Sequence, residues 1–287
     1  MKDDLPKKAE AIDPSSAAEI FAAIALEAGA AVMAIYDAGS SARWKRDGSP
    51  VTDADEVAEA IIFARLSAQF PQLPVIAEET ASKGGIPHAA PAFILVDPVD
   101  GTREFLSRNG EFTVNIGLIV DGAPRAGAVF APALGKLWFG ASGASACDAA
   151  SGSALPPLPL RRQIVARPAS CQDLTAIVSR SHADPATEAF LASLPIRERQ
   201  VAGSSLKFCA IAEGRADIYP RFGKTMEWDT AAGDAILRAA GGIVADLQGR
   251  PLRYGTSAAH FENGPFIAWG DPKAAERRAK ILLKERR

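Results

Sequence analysis

The residues best suited to chemistry lie in one stretch, Asp97-Pro98-Val99-Asp100-Gly101-Thr102, which follows the apolar run Phe93-Ile94-Leu95-Val96. The apolar run predicts a buried strand that Pro98 ends, because proline has no backbone N–H for the ladder. Two carboxylates there would repel each other and lose hydration, and a multivalent cation relieves both costs. Oxygen ligands favour Mg²⁺, and the amides of Gly101 and Thr102 would suit a phosphate beside it. The alternative is an Asx-turn with capping aspartates.

Glu78-Glu79 is a second acidic site, and it follows a predicted strand at residues 73–77. Asp97 also follows a strand, so two neighbouring strands would bring Glu78 to Asp97. The alternative for the glutamate pair is a solvated acidic loop. Only adjacency of the two strands makes Glu78 a candidate for the same cation site.

Two more aspartates begin predicted helices. Asp229 opens a helix in Trp228-Asp229-Thr230-Ala231-Ala232-Gly233, where its simplest role is an N-cap. The small residues of that segment would let the helix pack very close to another element. Asp53-x-x-Glu56 is a capping-box-like start of a second helix, and this pattern leaves Asp55 unexplained by capping.

Hydrophobic periodicity and the positions of Gly and Pro predict the elements that must position these residues. The segment 142–159 is rich in Ser, Ala, Gly and Pro, and we expect a domain boundary there. Beyond it strands and helices alternate, as in an α/β layer. The predicted helices span residues 17–36, 53–70, 184–194, 205–213, 229–240 and 272–286. The predicted strands span residues 73–77, 93–96, 113–120, 126–130, 136–139, 175–179, 216–219, 242–247 and 266–269.

Composition limits the classes of function. The chain has 287 residues, 48% of them hydrophobic, which is enough for one large domain or two smaller ones. Its net charge of −2 provides no global basic field, so we expect no nucleic acid polymer as a partner. Any anionic ligand must therefore be met by local cations or by a metal.

Cysteine usage and apolar runs bear on location. Cys147, Cys171 and Cys209 are far apart and lack metal-ligand spacing, which favours a reducing cytoplasm over a disulfide framework or a zinc site. The first residues predict no signal peptide, and no apolar run approaches the ~20 residues of a membrane span. The basic tail at residues 272–286 is typical of a surface helix. Peripheral binding to the cytoplasmic face of the inner membrane is the alternative for that tail.

Taken in order, the motifs at residues 78–79, 97–102 and 228–233 resemble the lithium-sensitive, Mg²⁺-dependent phosphatase superfamily that includes inositol monophosphatases. Three separated motifs in one order make a specific signal. The resemblance implies a layered αβαβα sandwich with an α+β first half and an α/β second half. It divides the chain into residues 1–150, with most metal ligands, and residues 151–287, with the specificity residues and the last metal aspartate.

The same resemblance implies two Mg²⁺ ions. The ligands of the first would be Glu78, Asp97 and the Val99 carbonyl, and those of the second would be Asp97, Asp100 and Asp229. Sharing of Asp97 fits ions about 4 Å apart. A third, weaker ion near Glu78 is left open.

The resemblance also implies the catalytic residues. In the family a threonine hydroxyl, backed by an aspartate, orients the attacking water and takes its proton, and Thr102 and Asp55 match those positions. The amides of Gly101 and Thr102 would hold the phosphoryl group as charge develops. Inhibition by Li⁺ is expected from the family.

The second half resembles the bacterial 3'(2'),5'-bisphosphate nucleotidases in segments 179–182, 203–209 and 219–223, together with residues 109–115 of the first half. Inositol monophosphatases have a sugar-binding glutamate at the position of Arg221, and the fork of an arginine suits a phosphate instead. An ordinary N-cap with a surface lysine is the alternative for Lys207. The candidate substrate-binding residues are Gly101, Thr102, Ser181, His182, Gly203, Ser204, Ser205, Lys207 and Arg221.

The implied reaction converts adenosine 3',5'-bisphosphate to AMP and phosphate in sulfur assimilation, with 3'-phosphoadenylyl sulfate as a further substrate. One alternative is inositol monophosphatase or fructose-1,6-bisphosphatase activity on the same fold. Another is a nucleotide-binding protein that has lost catalysis, against which the retained Asp55, Thr102 and carboxylates argue. The sequence leaves the oligomeric state open.

Overall fold

The computed structural model describes residues 12–39, 41–44, 50–84, 90–170, 172–182, 184–255 and 261–285. Cys171 lies outside these ranges. Within them, the helices are α1 (Pro14–Ala38), α2 (Asp53–Gln69), α3 (Glu78–Ser82), α4 (Thr102–Leu106), α5 (Pro185–Ala192), α6 (Leu206–Ala212), α7 (Glu227–Ala239) and α8 (Pro272–Glu285).

The strands of the described residues are β1 (Arg43–Trp44), β2 (Pro50–Val51), β3 (Val75–Ala77), β4 (Ala92–Asp100), β5 (Thr113–Val120), β6 (Ala123–Ala131), β7 (Lys136–Gly140), β8 (Ala144–Asp148), β9 (Arg162–Ile164), β10 (Leu174–Ser179), β11 (Ile196–Ala202), β12 (Ile218–Arg221), β13 (Thr225–Met226), β14 (Ile243–Asp246), β15 (Glu262–Asn263) and β16 (Phe266–Trp269). Short 3₁₀ helices span Pro132–Leu134 and Leu158–Leu160. Every predicted helix and strand overlaps one of these elements.

The elements stack in five layers, which confirms the αβαβα sandwich. Helices α1 and α2 cover one face of a seven-stranded sheet with the order β3-β4-β5-β6-β7-β8-β9. Helices α6 and α7 lie between its other face and a five-stranded sheet with the order β11-β10-β12-β16-β14. Helices α5 and α8 pack on the outer face of that second sheet.

Strand β4 is buried on both faces, as its continuous apolar run predicts. Phe93 and Leu95 pack in the core that contains α6 and α7, whereas Ile94 and Val96 pack in the core that contains α1 and α2. Side chains alternate along a strand, so Asp97 follows Phe93 and Leu95 onto the face covered by α7.

A β-bulge at Pro98-Val99 sets the direction of both aspartates. Asp97 pairs with Asn115 and Asp100 pairs with Thr113, so three steps along β4 match two steps along β5. Residues three apart point to opposite faces of a regular strand, and the extra residue lets Asp97 and Asp100 share one face. The strand continues through Asp100, which corrects the expectation that it ends at Pro98.

The seven-stranded sheet extends past the expected boundary near residue 150. Strand β8 lies inside the segment rich in Ser, Ala and Gly, and β9 pairs with it antiparallel. The sheet therefore reaches Ile164. The small residues of this segment are buried in β8 rather than exposed in a linker, as Ala144 and Ala146 show.

Strand β11 is not predicted from the sequence. It pairs in parallel with β10 at the edge of the second sheet, and most of its residues are exposed or half-buried. Its sequence, Ile-Arg-Glu-Arg-Gln-Val-Ala, has no apolar alternation because charged side chains protect an edge strand from pairing with other chains.

Helix α1 is long and apolar enough to cross a membrane, by length and composition only, with a mean hydropathy of 1.8. This differs from the expectation that no such run exists. Ala17, Phe21, Ala25 and Val32 of α1 are fully buried in the core shared with α2 and the seven-stranded sheet. These contacts make α1 the core helix of the first layer.

Glycines of the sheet allow α7 to approach closely, as its small residues predict. A Cβ on Gly127 would lie 2.5 Å from the Ala232 carbonyl oxygen, and a Cβ on Gly117 would lie 3.0 Å from the Ala231 carbonyl carbon. Both neighbours are backbone atoms, which cannot move aside as a flexible side chain can. The position of α7, and of Asp229 on it, therefore depends on these two glycines.

We predict that Gly127→Ala lowers the free energy of unfolding by ~1–3 kcal/mol, the usual cost of over-packing a core. Gly264→Ala is the matched control, because a Cβ at Gly264 has no heavy atom within 4 Å. The control should change stability by less than ~0.5 kcal/mol. Urea denaturation measures both values, and equal effects would show that α7 does not rest on Gly127.

Candidate active site

Glu78 and Asp97 occupy equivalent positions at the ends of two parallel strands. Strand β3 pairs with β4 with Ala77 opposite Val96, so the next residues along the two strands are Glu78 and Asp97. Glu78 begins helix α3, and Asp97 is 2% exposed. The structure thus brings together the first two acidic stretches.

Asp97 lies at the centre of a group of carboxylates. Burial is the largest cause of a pKa raised well above its usual value, and negative charge on neighbouring carboxylates raises that pKa further. Those neighbours are Glu78, Asp100, Asp229 and Asp55. Every acid proposed from the motifs therefore acts electrostatically on Asp97.

Asp229 reaches this group from α7. It is the third residue of the helix and not its N-cap, and its Oδ2 accepts a hydrogen bond from the Met226 N–H at 2.8 Å. The carboxylate therefore caps the helix from its first turn. Burial raises the pKa of Asp229 well above its usual value, and the charges of Asp100 and Glu78 raise it further.

The donor set fits Mg²⁺. All of the proposed ligands are oxygen atoms, and a divalent cation would neutralise the repulsion that raises the pKa values of Asp97 and Asp229. Among the described residues, no three His, Cys, Asp or Glu side chains already stand in a metal-binding arrangement. The ligand set is therefore supported by shared burial and mutual repulsion of the carboxylates.

Asp55 and Thr102 come together from distant parts of the chain. Thr102 Oγ1 lies 3.4 Å from Asp55 Oδ1 and 3.3 Å from the Val99 carbonyl oxygen. Asp55 Oδ2 accepts hydrogen bonds from Thr52 N–H at 2.8 Å and from Thr52 Oγ1 at 2.7 Å. These two bonds hold the carboxylate with its other oxygen towards Thr102.

The capping box of α2 is made by Thr52 and Asp55. This corrects the expected pairing of Asp53 with Glu56. Asp53 and Glu56 instead bind Arg43 at 2.8 and 3.0 Å on the protein surface. The sequence Thr-x-x-Asp satisfies the same capping rule one residue earlier.

Gly101 makes the turn between β4 and α4. Its φ of +90° is in the left-handed region, and a Cβ would lie 3.3 Å from Ser204 Cβ and from the Glu111 carbonyl oxygen. No side chain among the described residues caps α4. This close-packed turn supports, as a proposal, a phosphoryl-binding role for the amides of Gly101 and Thr102.

Two hydroxyls that we expect to bind substrate instead donate to the carboxylate region. Ser204 Oγ donates to Asp100 Oδ2 at 2.7 Å. Ser205 Oγ donates to the Asp229 carbonyl oxygen at 3.0 Å. Both serines therefore contact the residues proposed to hold the second metal ion.

Gly203 and Ser181 join the two halves of the chain. The Gly203 N–H donates to Glu111 Oε2 at 2.7 Å, and the same carboxylate binds Arg180 through two bonds of 2.7 Å. Ser181 Oγ donates to the buried carboxylate of Glu104. These contacts place the loop at residues 203–205 against the first half.

Lys207 is buried, with 4% exposure, which corrects the alternative of a surface lysine. Its Nζ donates to the carbonyl oxygens of Ser204 at 2.5 Å and Ala202 at 3.4 Å, and lies 5.2 Å from the centre of the Tyr219 ring. Burial lowers the pKa of Lys207 to about 8. The lysine therefore remains mostly charged at neutral pH.

Arg221 is a second buried cation, with 7% exposure. It donates to the carbonyl oxygens of His182 at 3.2 Å and Lys224 at 2.9 Å. Its Nε is buried without a hydrogen-bond partner among the described residues. Arginine carries five N–H donors, so this side chain has capacity for an anion.

His182 reports the positive potential of this region. Burial is the main cause that lowers its pKa to about 4, and the charges of Arg221, Arg103 and Lys207 lower that pKa further. The imidazole is therefore neutral at pH 7. This position supports a role for His182 as a hydrogen-bonding contact rather than as a cation.

The motifs do not single out Arg103, Glu104, Glu111 and Asn115. Arg103 is exposed and directly follows Thr102, and its charge acts on His182. Asn115 is 1% exposed within a strand. A polar amide in the middle of the apolar run at residues 113–120 is the signal that could have found it.

The chain matches the inositol monophosphatase family over residues 13–286. It is 42% identical over 245 residues to the 3'(2'),5'-bisphosphate nucleotidase CysQ of Salmonella typhimurium, covering 85% of this chain and 95% of that protein. The same values apply to the 3'(2'),5'-bisphosphate nucleotidase CysQ of Escherichia coli K12.

Solved structures agree with these matches. The crystal structure of CysQ from Bacteroides thetaiotaomicron, described as a bacterial member of the inositol monophosphatase family, has a TM-score of 0.74 and 36% identity, covering 89% of this chain and 97% of that chain. Inositol monophosphatase from Anabaena has a TM-score of 0.70 and 24% identity, covering 94% and 96% respectively, which shows the fold alone. The family match over residues 13–286 and these relatives show that the chain belongs to the inositol monophosphatase family.

Proposed function

We propose that the chain is a Mg²⁺-dependent 3'(2'),5'-bisphosphate nucleotidase, a phosphoric monoester hydrolase that converts adenosine 3',5'-bisphosphate to AMP and phosphate. The observation that carries this function is the pair of buried cations, Lys207 and Arg221, close to the carboxylate group. A monophosphate would use only the carboxylate end of the site. The 42% identity to CysQ nucleotidases supports the same choice.

The residues of this chain divide into three tasks. Glu78, Asp97, Asp100, Asp229 and the Val99 carbonyl would hold two Mg²⁺ ions. Bound there, Mg²⁺ would lower the pKa of the attacking water and offset negative charge on the phosphoryl oxygens. The other tasks are proton transfer and binding of the phosphate that is not cleaved.

Proton transfer falls to Thr102 and Asp55. Thr102 Oγ1 can donate its proton to Asp55 Oδ1, 3.4 Å away, and then accept a proton from the attacking water. Asp55 keeps Oδ1 available because Thr52 holds Oδ2. Asp55 is 1% exposed, so bulk water does not compete for this contact.

Binding of the second phosphate falls to Lys207 and Arg221. Arg221 lowers the pKa of Asp229 as well as that of His182, so its charge acts on both the carboxylate group and the cationic region. A substrate with two phosphates can therefore place one at each end of the site. His182 and Ser181 lie on the same side and are proposed to contact the nucleoside.

We predict that Arg221→Ala weakens hydrolysis of adenosine 3',5'-bisphosphate while hydrolysis of a simple monophosphate changes little. Loss of charge-assisted hydrogen bonds of ~1.5–3 kcal/mol implies a roughly ten- to hundredfold lower kcat/KM. Steady-state phosphate release on both substrates measures the effect.

Arg167→Ala is the matched control for this variant. Arg167 pairs with Asp217 at 2.7 Å and belongs to neither the carboxylate group nor the cationic region. Its loss should change both substrates by the same factor. Equal losses for Arg221→Ala would assign Arg221 to the fold or to the metal site.

Product analysis tests the proposed reaction itself. ³¹P NMR of the reaction with adenosine 3',5'-bisphosphate should show inorganic phosphate and AMP. Adenosine 3'-phosphate as product would place the wrong phosphate at the carboxylate end. No turnover of the nucleotide with good turnover of inositol 1-phosphate would favour the alternative activity on the same fold.

A further inference from the structure

We propose that Asn115 is a positioning residue that fixes Asp100, from the first half, relative to the helix that carries Asp229. This role presupposes the Mg²⁺ site proposed above. Asn115 lies on β5 opposite Asp97, on the face shared with Thr113 and Asp100. It is 1% exposed, so its polar atoms must bind within the protein.

All three directions of the Asn115 amide are used. Nδ2 lies 3.3 Å from Asp100 Oδ2 and donates to Ser205 Oγ at 2.9 Å. Oδ1 accepts from Thr113 Oγ1 at 2.8 Å. An ionised carboxylate only accepts hydrogen bonds, so the nitrogen of the amide must face Asp100.

The amide thereby connects the two halves of the metal site. Ser205 Oγ, held by Asn115, donates to the backbone carbonyl of Asp229 at 3.0 Å. One side chain therefore links a carboxylate of β4 to the first turn of α7. The Asp100 and Asp229 ligands of the second ion come from different halves, and their separation depends on this link.

Ser204 completes the arrangement from the other side. Its backbone has φ of +51°, a strained value for serine, and its Oγ donates to the same Asp100 Oδ2 at 2.7 Å. Thr113 Oγ1 contacts both Ser204 Oγ and Asn115. Two donors on Oδ2 orient the carboxylate so that Oδ1 is the oxygen presented to a cation.

Asn115→Leu tests this role, because leucine has a similar size but offers no hydrogen bonds. We measure Mg²⁺ affinity of the metal-free protein by isothermal titration calorimetry, without substrate. Loss of an outer contact to a metal ligand should weaken Mg²⁺ binding about ten- to a hundredfold. Saturating Mg²⁺ should restore much of kcat.

Ile116→Val is the matched control. Ile116 neighbours Asn115 on β5 but is buried in the opposite core, with α1 and α2. It should lower stability slightly and leave Mg²⁺ affinity unchanged. Thr113→Val, which removes only the hydroxyl that holds Oδ1, is a milder variant and should weaken Mg²⁺ binding in the same direction.

The outcomes separate this role from the proposed function. Mg²⁺ binding by the wild type, with unchanged affinity in Asn115→Leu or, if that variant does not fold, in Thr113→Val, would overturn the role of Asn115 and leave the nucleotidase proposal intact. Absence of Mg²⁺ binding by the wild type would overturn both. Equal weakening in Ile116→Val would also overturn it, because the effect would then follow stability alone.

Discussion

Asp97→Asn is expected to abolish phosphate release, because Asp97 is the carboxylate proposed to be shared by both Mg²⁺ ions. Metal stabilisation of several kcal/mol implies a loss of roughly a thousandfold at ~1.4 kcal/mol per factor of ten. The fold should survive, since the amide oxygen of the introduced asparagine can still accept the Val99 N–H that Asp97 Oδ1 accepts at 3.1 Å. Turnover at saturating substrate and Mg²⁺ measures the effect, and near-normal turnover would remove Asp97 from the site.

The same substitution should stabilise the metal-free protein. Burial and like charges raise the folded-state pKa of Asp97, so the stability of the wild type falls as pH rises through that pKa. Asparagine cannot ionise and escapes this loss. In excess chelator, the Tm of Asp97→Asn should exceed that of the wild type by a margin that grows with pH.

Asp217→Asn is the control for this change in stability. Asp217 is also buried, but it binds Arg167 through two contacts of 2.7 Å and the Thr175 N–H at 2.7 Å. Neutralising a paired carboxylate removes attraction rather than repulsion, so the Tm should fall. A similar fall in metal-free Asp97→Asn would contradict the view that Asp97 belongs to a group of repelling carboxylates.

Thr102→Ala should lower kcat by ~10²- to 10⁴-fold, the usual contribution of a positioned proton-transfer group. KM should change much less, because Thr102 Oγ1 faces Asp55 and the Val99 carbonyl rather than the second-phosphate region. Steady-state kinetics at saturating Mg²⁺ separates the two constants. Unchanged kcat would assign Thr102 to the start of α4 alone.

Thr102→Ser is the matched control, since serine keeps the hydroxyl and loses only the methyl group. It should retain most of kcat. Asp55→Asn should lower kcat in the manner of Thr102→Ala, because an amide is a poorer proton acceptor. A normal kcat in Asp55→Asn would mean that Asp55 serves only the capping box with Thr52.

Local patterns were sufficient to predict the layers and the acidic motifs. The apolar run before Asp97 predicts a strand buried on both faces, and Phe93 and Ile94 lie in the two different cores. The order of the three motifs predicts the family. The small residues after Asp229 predict a closely packed helix, which Gly117 and Gly127 allow.

The remaining features depend on contacts between distant segments. The bulge at Pro98-Val99 is defined by the register with β5, which no local pattern in β4 specifies. Burial of Lys207 depends on Tyr219 and on a loop carbonyl of the second half. The bond between Asn115 and Ser205 joins residues 90 positions apart, so periodicity along the chain cannot indicate it.

The most direct test of the function is a comparison of two substrates with and without metal. We measure kcat/KM for adenosine 3',5'-bisphosphate and for inositol 1-phosphate in Mg²⁺, and repeat both in excess chelator and with added Li⁺. We predict a higher kcat/KM for the nucleotide, no turnover in chelator and inhibition by Li⁺. Full activity in chelator, or a higher kcat/KM for inositol 1-phosphate, would contradict a Mg²⁺-dependent bisphosphate nucleotidase.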